Sequence, residues 1–366
     1  MNYKETLYFI AKCLTISLGD KNKREIENQL KSDTIDWDVV VKVSTSHYVF
    51  PAIYCNFKRA DFLKYLPSDL FDYMRYITNL NRNRNKQIIE QAHDLNNILL
   101  ANNITPIFLK GTGNLLSGIY VDPAERMVGD IDILVSEKEF SSTIKILLDN
   151  SYMEEENQSK YSKGNRHYTR LVNKEYIAAV EIHTELLIKK YTYEFNYNFV
   201  KKDCLVANGV TCLSYANKLN LSIISNQIND SGFYFKTIAL RNAYDVFLLS
   251  KKTNAKNAVS TLDKLSYPLN CFLAACYEVF NKIECLEYNK TKKTASYLNV
   301  FSNQLTYTNK AKKRYKRIKR YITLKYRLNI IYKSIIYKVY RVWLFKKLTS
   351  LAFYKRSLLK KMKNNF

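Results

Sequence analysis

The segment from residue 104 to residue 135, ITPIFLKGTGNLLSGIYVDPAERMVGDIDILV, constrains the fold of this chain more than any other. It begins with a β-type run, Ile104 to Leu109, which leads into Lys110-Gly111, and a short helical pattern follows from Thr112 to Ile119. It ends with an aliphatic run that contains two aspartates, Asp130 to Val135. The segment therefore predicts the order strand, turn, short helix, loop and second strand.

Asp130 and Asp132 lie on one face of the predicted second strand, because side chains alternate between the two faces of a β-strand. Ile131 and Ile133 then lie on the other face. Unpaired carboxylates are costly inside an apolar core, so this pair indicates a functional face and not a packed one. Oxygen ligands favour Mg²⁺ or Mn²⁺, ions that usually also hold the phosphate groups of a substrate. The pattern predicts a divalent cation site.

Lys110-Gly111 after a strand, the intervening Arg126 and the sequence Gly-Asp-Ile-Asp-Ile-Leu-Val together resemble the nucleotidyltransferase superfamily of polymerase-β type. More narrowly, they are similar to an uncharacterised bacterial nucleotidyltransferase family that has Lys-Gly where classical members have Gly-Ser. The motifs cover residues 88–185, and a weaker similarity in helical pattern extends from the N-terminus to residue 252. The resemblance implies a Mg²⁺- or Mn²⁺-dependent enzyme that moves a nucleoside monophosphate from an NTP to an acceptor and releases pyrophosphate.

The resemblance also implies a third carboxylate. The family has an acidic residue, usually Asp, before a Leu-His or Ile-His pair, and this chain has Glu181 in Val-Glu-Ile-His. Asp130, Asp132 and Glu181 would then be the catalytic metal ligands, with Glu181 on the neighbouring antiparallel strand. A solvated strand residue remains the alternative for Glu181, since Glu is mostly exposed. His183 is assigned no chemical role.

Three further residues are implied as nucleotide contacts. Lys110 and Arg126 would contact phosphates, and Arg can do so with two parallel hydrogen bonds. Gly111 would let the backbone approach the triphosphate, because a side chain there would block it. Solvated loop positions remain the alternative for both cations.

The remaining pattern predicts an α+β fold, in which a small mixed-sheet core is flanked by helical regions. We expect an N-terminal helical region at 1–82, the core at 83–205, a C-terminal helical region at 206–289 and a basic helical tail at 290–366. Ile88, Ala92, Leu95 and Leu99 form one apolar stripe of a helix over residues 83–102. The boundaries follow changes in periodicity and charge along the chain.

Two local patterns supplement this division. Residues 166–172 and 176–183 predict a β-hairpin around Asn173-Lys174. Arg241 and Asp245 are four residues apart on a predicted helix, so an ordinary ion pair between them is the default, and the resemblance adds a possible contact with nucleotide or acceptor.

The charge is concentrated in the tail. The net charge is +25, and the segment after Glu287 has 23 Lys and Arg and no acidic residue, which leaves +2 for residues 1–287. The tail interleaves Lys and Arg with Ile, Leu and Tyr, a pattern typical of helices that bind anionic membrane surfaces. Nucleic acid is a less favoured partner, and a helix that packs its apolar side on the same chain is the third possibility.

Targeting and redox signals are weak. Seven scattered cysteines without a Cys-x-x-Cys pair predict reduced thiols and a cytoplasmic protein that could associate with a membrane through its tail. The sequence has no uninterrupted apolar run of about 18 residues, the length that would predict a membrane span.

Two rival functions remain open. Many glycosyltransferases use Asp-x-Asp with Mn²⁺ to hold a nucleotide sugar, but their nucleotide-binding sheet usually begins near the N-terminus and Lys110-Gly111 would be unexplained. A catalytically silent nucleotide-binding protein of the same fold is the other. The acceptor and the base are not indicated by any motif, although the resembled family suggests a part in surface polysaccharide assembly.

Overall fold

The structure is a computed structural model that describes residues 1–17, 20–32, 34–155 and 166–349. The chain divides into two compact units, Met1–Thr306 and Tyr307–Phe366. In its described residues the first unit is α+β, as the sequence predicts: helices flank a seven-stranded mixed sheet. The described part of the second unit is helical except at Tyr307 and Tyr337.

The sheet has strands of two to five residues, and its order is β3-β4-β5-β2-β1-β7-β6. The strands are β1 Ile107–Phe108, β2 Asp130–Leu134, β3 Met153–Glu154, β4 Leu171–Val172, β5 Ala179–His183, β6 Cys204–Ala207 and β7 Val210–Leu213. The predicted first and second strands are present as β1 and β2, and they pair antiparallel. The predicted hairpin at 166–183 is present as β4 and β5, with Leu171 opposite Val180.

The helices of the first unit precede, interrupt and follow the sheet. They are α1 Tyr3–Cys13, α2 Asp20–Lys31, α3 Trp37–Ser46, α4 Phe50–Ala60, α5 Ser68–Leu100, α6 Lys110–Leu116, α7 Phe140–Asp149, α8 Tyr197–Lys201, α9 Tyr215–Ile224, α10 Gly232–Phe235, α11 Leu240–Ser250, α12 Ala255–Ser260, α13 Ser266–Val279 and α14 Lys292–Thr306. A π-helical turn, Ser225–Asn229, follows α9. Although the sequence assigned residues from 290 on to the tail, α14 belongs to the first unit.

β5 runs parallel to β2, which corrects the expected antiparallel arrangement. The expected order of strands lacked β3, a two-residue strand with exposed side chains that pairs antiparallel with β4. α7, β3 and β4 lie between β2 and β5 in the chain. Because β4 runs antiparallel to both β3 and β5, the chain returns in β5 parallel to β2. The hairpin β6–β7, at the other edge of the sheet, was also not expected.

α5 is longer than the predicted helix over residues 83–102 and makes apolar contacts in one part and polar contacts in another. Its C-terminal half buries the predicted stripe, in which Ile88, Ala92, Leu95 and Leu99 are fully buried. Its middle part contributes polar contacts: the side-chain amides of Asn81 and Asn85 donate to the Ala124 and Pro123 carbonyls at 2.7 and 2.6 Å. Both asparagines are buried, so the periodic apolar signal by which a helix is recognised in a sequence is weak there.

The second unit contains α15 Thr308–Ile336 and α16 Lys338–Thr349 in its described part. α15 exposes aromatic and aliphatic side chains between its lysines and arginines: Tyr315, Tyr321, Leu324, Tyr326, Leu328, Ile331, Tyr332, Ile335 and Ile336. Within the described ranges, none of the helices has the length and apolar character needed to cross a membrane.

Candidate functional site

The parallel pairing of β2 with β5 brings the acidic positions together. Its register places Asp132 opposite Glu181 and Leu134 opposite His183. Because every second side chain of a strand lies on the same face, Asp132, Glu181 and His183 share one face of the sheet. Ile131 and Ile133 are fully buried on the opposite face, where they form part of the core. The alternation that the sequence predicts therefore separates an ionic face from an apolar one.

Asp132 is the most enclosed of the three carboxylates, with 9% of its side chain exposed. Its Oδ1 accepts hydrogen bonds from the Lys110 ammonium and from His183 Nε2, the latter at 2.8 Å. Its carbonyl accepts from the Leu109 amide at 2.9 Å, a bond that joins β2 to the turn before α6. Lys110 is thus placed at the carboxylates by the same strand pair that holds Asp132.

Glu181 and His183 complete a group that could hold a divalent metal. One ligand atom from each of Asp132, Glu181 and His183 lies within 4.8 Å of the other two. Glu181 Oε2 is 3.5 Å from His183 Nε2. His183 had no chemical role in the sequence-based prediction, although its position two residues after Glu181 put it on the same strand face. Two carboxylates and an imidazole form a donor set suited to a divalent cation.

The surroundings keep both carboxylates ionised. Burial raises the pKa of Asp132, but the charge of Lys110 and the hydrogen bond from His183 outweigh it, so its pKa lies well below the usual value. For Glu181, burial and the charge of Asp132 raise the pKa. The hydrogen bond from His183 and the charges of Lys110 and His167 lower it by more, so the pKa of Glu181 lies below its usual value. Ionised carboxylates are the form that binds metals.

Asp130 lies on the same face of β2 but is engaged by a different cation. Its Oδ1 accepts a hydrogen bond from Arg170 Nη2. Arg170 Nε lies 3.6 Å from Glu181 Oε1, and Arg170 Nη1 lies 3.5 Å from Glu155 Oε2. The sequence placed Arg170 on the first strand of the predicted hairpin but did not single it out as a site residue; it directly precedes β4.

The Lys110-Gly111 turn is shaped by packing. Lys110 adopts a left-handed backbone conformation with φ of 46° at the start of α6. A Cβ on Gly111 would approach Val128 Cγ2 to 2.9 Å, closer than real Cβ contacts allow. The packing of the loop that precedes β2 therefore favours glycine at 111, because a Cβ there would force Val128 to shift. The predicted approach to a triphosphate stays a prediction.

Arg126 lies beneath this turn and is buried. Its Nε donates to both carboxylate oxygens of Asp245 at 3.1 Å, and its Nη1 donates to the Met127 carbonyl. Tyr120 also donates to Asp245, at 2.6 Å. The expected Arg241–Asp245 ion pair is wrong, because Asp245 is occupied by Arg126 and the Arg241 guanidinium lies over the Tyr48 ring at 4.9 Å.

A second buried acid on the same loop connects the helical regions. Glu125 accepts hydrogen bonds from Arg59 of α4 at 2.6 Å and from the Tyr244 hydroxyl of α11. Tyr244 in turn accepts from Asn56 at 3.2 Å. The loop that leads to Asp130 is thus fixed on both sides, by helices from before and after the sheet. The predicted phosphate contact of Arg126 stays a prediction, since its guanidinium is used within this network.

A mixed sheet with an acidic face next to a Lys-Gly turn defines a class of protein that could hold a divalent metal ion on that face. The chain belongs to an uncharacterised nucleotidyltransferase family, whose family model matches residues 33–280. This match confirms the family resemblance that the Asp130–Val135 strand and Lys110-Gly111 indicated.

The chain was also compared with solved structures and with curated proteins. The crystal structure of JHP933 from Helicobacter pylori is similar to this chain at 15% sequence identity, covers 65% of this chain and 97% of its own, and superposes with a TM-score of 0.29. Among curated proteins, no sequence matches the chain.

Proposed function

We propose that this protein is a divalent-metal-dependent nucleotidyltransferase that moves a nucleoside monophosphate from an NTP to an acceptor and releases pyrophosphate. The observation that carries the proposal is the meeting of Asp132, Glu181 and His183 in the register of β2 and β5. Lys110, from the turn before α6, adds a cation at the same place. The family to which the chain belongs supports this function.

The carboxylates fit a metal site in charge and chemistry. Asp132 and Glu181 are held ionised by their surroundings, and Asp130 lies on the same strand face as Asp132. We assign Asp130, Asp132 and Glu181 as the ligands, with Mg²⁺ or Mn²⁺ favoured by the oxygen donors. A cation bound there would supply the positive charge that the phosphoryl oxygens need in an in-line displacement.

The chain's own residues would position the nucleotide. Lys110 has 30% of its side chain exposed, so its ammonium can turn from Asp132 to a phosphate without leaving the site. His183 is 2% exposed and holds Asp132 and Glu181 in place through its Nε2. Fixed groups of this kind act by positioning and by electrostatic stabilisation, which dominate catalysis of phosphoryl-type transfer.

The test is Mg²⁺-dependent NTP binding and turnover with a paired variant. Asp130→Asn combined with Asp132→Asn should abolish the calorimetric signal for Mg·ATP, or for whichever NTP the wild type binds, while thermal unfolding remains cooperative. Pyrophosphate release by the wild type, assayed with candidate glycan, protein and RNA acceptors, should disappear in the same variant. Unchanged Mg·NTP affinity in a folded double variant would exclude the site.

Thermal stabilisation by UDP-sugars and the pyrophosphate assay together separate the rival functions. A glycosyltransferase should be stabilised against heat by UDP-sugars in the presence of Mn²⁺ and not by NTPs alone. A silent nucleotide-binding protein should bind Mg·NTP but release no pyrophosphate with any acceptor. A part in surface polysaccharide assembly stays a prediction, and the glycan acceptors in the panel test it directly.

We also propose that the basic tail binds an anionic membrane surface. α15 exposes apolar and aromatic side chains between its cations, an arrangement that favours insertion between lipid headgroups. Removing residues 307–366, which leaves the first compact unit whole, should release the protein from phosphatidylserine vesicles. Co-sedimentation that persists without these residues, or a full-length protein that binds RNA but not vesicles, would contradict this proposal.

A further inference from the structure

The guanidinium of Arg170 is surrounded by carboxylates. Nη2 donates to Asp130 Oδ1, Nε lies 3.6 Å from Glu181 Oε1, and Nη1 lies 3.5 Å from Glu155 Oε2. Two of these three carboxylates, Asp130 and Glu181, are the ones assigned above to a metal ion. The guanidinium therefore lies between two of the carboxylates that are assigned to the cation.

A divalent cation and this guanidinium compete for the same oxygen atoms. A metal ion bound to Asp130 needs the carboxylate lone pairs to which Arg170 now donates. Like charges a few ångströms apart in a half-buried site also repel strongly, because the effective dielectric constant there is well below that of water. Arg170 has 27% of its side chain exposed, so its head group can move outward into solvent.

The backbone of Arg170 is fixed while its side chain is long. Its carbonyl accepts a hydrogen bond from the Glu155 amide at 2.9 Å, and the neighbouring Tyr168 amide donates to the Ile182 carbonyl of β5 at 2.9 Å. The Cα is thus tied to the strand that carries Glu181. If the guanidinium leaves Asp130, it therefore stays close to a ligand bound next to β5.

We propose that Arg170 is an exchangeable counter-ion. In the metal-free protein it neutralises Asp130 and Glu181; a divalent cation displaces it, and the displaced guanidinium then contacts the phosphate groups of the nucleotide. A guanidinium presents paired N–H donors that match phosphate oxygens, which makes this second position favourable. The inference rests on the proposed nucleotidyltransferase function, since it assumes a metal and a nucleotide at this site.

The two positions of Arg170 predict opposite effects of one substitution. Arg170→Met keeps the apolar stem and removes the charge. Because a competitor is lost, the affinity for Mn²⁺ alone should rise at least tenfold, which corresponds to about 1.4 kcal/mol. At saturating Mn²⁺, which has already displaced the guanidinium in the wild type, the affinity for a non-hydrolysable NTP analogue should fall at least tenfold, because a phosphate contact is lost. Calorimetry measures both constants on the full-length protein, and thermal unfolding shows that the variant is folded.

Two variants serve as controls. Arg84→Met removes the same charge next to β2, where Arg84 donates to the Val128 and Gly129 carbonyls at 3.4 and 3.3 Å and not to a carboxylate. It should change both affinities less than threefold. Arg170→Lys keeps the charge and should bind Mn²⁺ within threefold of the wild type.

Three results would overturn the inference. Mn²⁺ affinity of Arg170→Met that is unchanged or weaker would show that Arg170 does not compete with the metal. A rise in Mn²⁺ affinity without a loss of nucleotide affinity would remove the second position of the guanidinium. Absence of Mn²⁺ binding by the wild type would remove the proposed function itself, and is distinguished from the first two because no variant is needed to see it.

Discussion

The acidic face of β2 and β5 and the buried pair of Arg126 with Asp245 are both ionic, yet they differ in balance. In the pair, one carboxylate meets one guanidinium and a tyrosine hydroxyl, and 2% and 8% of the two charged side chains are exposed. Among the described residues of the acidic face, Asp130, Asp132 and Glu181 share two cationic side chains, Lys110 and Arg170. The pair is saturated, whereas the acidic face has charge left for a ligand.

The comparison explains why two cations from one short segment differ in role. Lys110 and Arg126 are both implied by the family resemblance as phosphate contacts. Lys110 points at the acidic face and is partly exposed, whereas Arg126 is committed to α11 through Asp245. A buried charge pair that loses one partner leaves the other uncompensated, so the Arg126–Asp245 pair is a requirement of the fold.

The largest effect on stability should follow from breaking the buried pair. Asp245→Asn leaves the Arg126 guanidinium buried without a counter-charge, and we expect the free energy of unfolding to fall by about 3–5 kcal/mol. Urea denaturation measures it. Mn²⁺ affinity should stay within threefold of the wild type at temperatures where the variant is folded.

Asp132→Asn is the matched substitution on the acidic face. It should lower the stability by less than about 1.5 kcal/mol, because the amide that replaces the carboxylate keeps a hydrogen-bond acceptor for His183 and Lys110 can turn to solvent. A larger destabilisation by Asp132→Asn than by Asp245→Asn would reverse the comparison.

An effect smaller than that of Asp245→Asn, and dependent on pH, should come from Lys218, a buried cation that contacts the Ser117 hydroxyl at the end of α6. Burial lowers its pKa to about 8, below the value of about 10.4 expected in the unfolded chain. Between these values the unfolded state binds more protons, so stability should rise with pH. Relative to Lys218→Met, we expect the wild type to gain on the order of 2 kcal/mol between pH 8 and pH 10.

Chemical denaturation at a series of pH values measures this difference. A gap between wild type and Lys218→Met that does not change with pH would show that Lys218 titrates normally in the folded protein. Together with Asp245→Asn, the result would rank buried cations by the partner they have: a carboxylate for Arg126 and a hydroxyl for Lys218.

The sequence predicts those parts of the site that follow from strand periodicity. Alternation places Asp130 and Asp132 on one face, and the same rule puts Glu181 and His183 on one face of the second strand. The hairpin at 166–183 was also predictable, because two β-type runs flank Asn173-Lys174. These features depend on neighbours that are close in the chain.

The parts that were not predicted depend on distant partners. Alternation fixes a face but neither the partner strand nor its direction, so the parallel pairing of β5 with β2 could not be read from it. β3 has two exposed residues and therefore no apolar signal. Arg170 and Asp130 are 40 positions apart, and Arg126 and Asp245 are 119 positions apart. Contacts over such separations have no local pattern that a single sequence reveals.

Calorimetric titration of the nucleotide-free protein with Mn²⁺ tests most directly whether the acidic face of β2 and β5 binds a divalent cation. The account predicts saturable binding by the wild type, and a loss of affinity on the order of 100-fold in Asp132→Asn, because a ligand in contact with His183 and Lys110 is removed. Equal Mn²⁺ affinity of the two folded proteins, or no binding by the wild type, would contradict it.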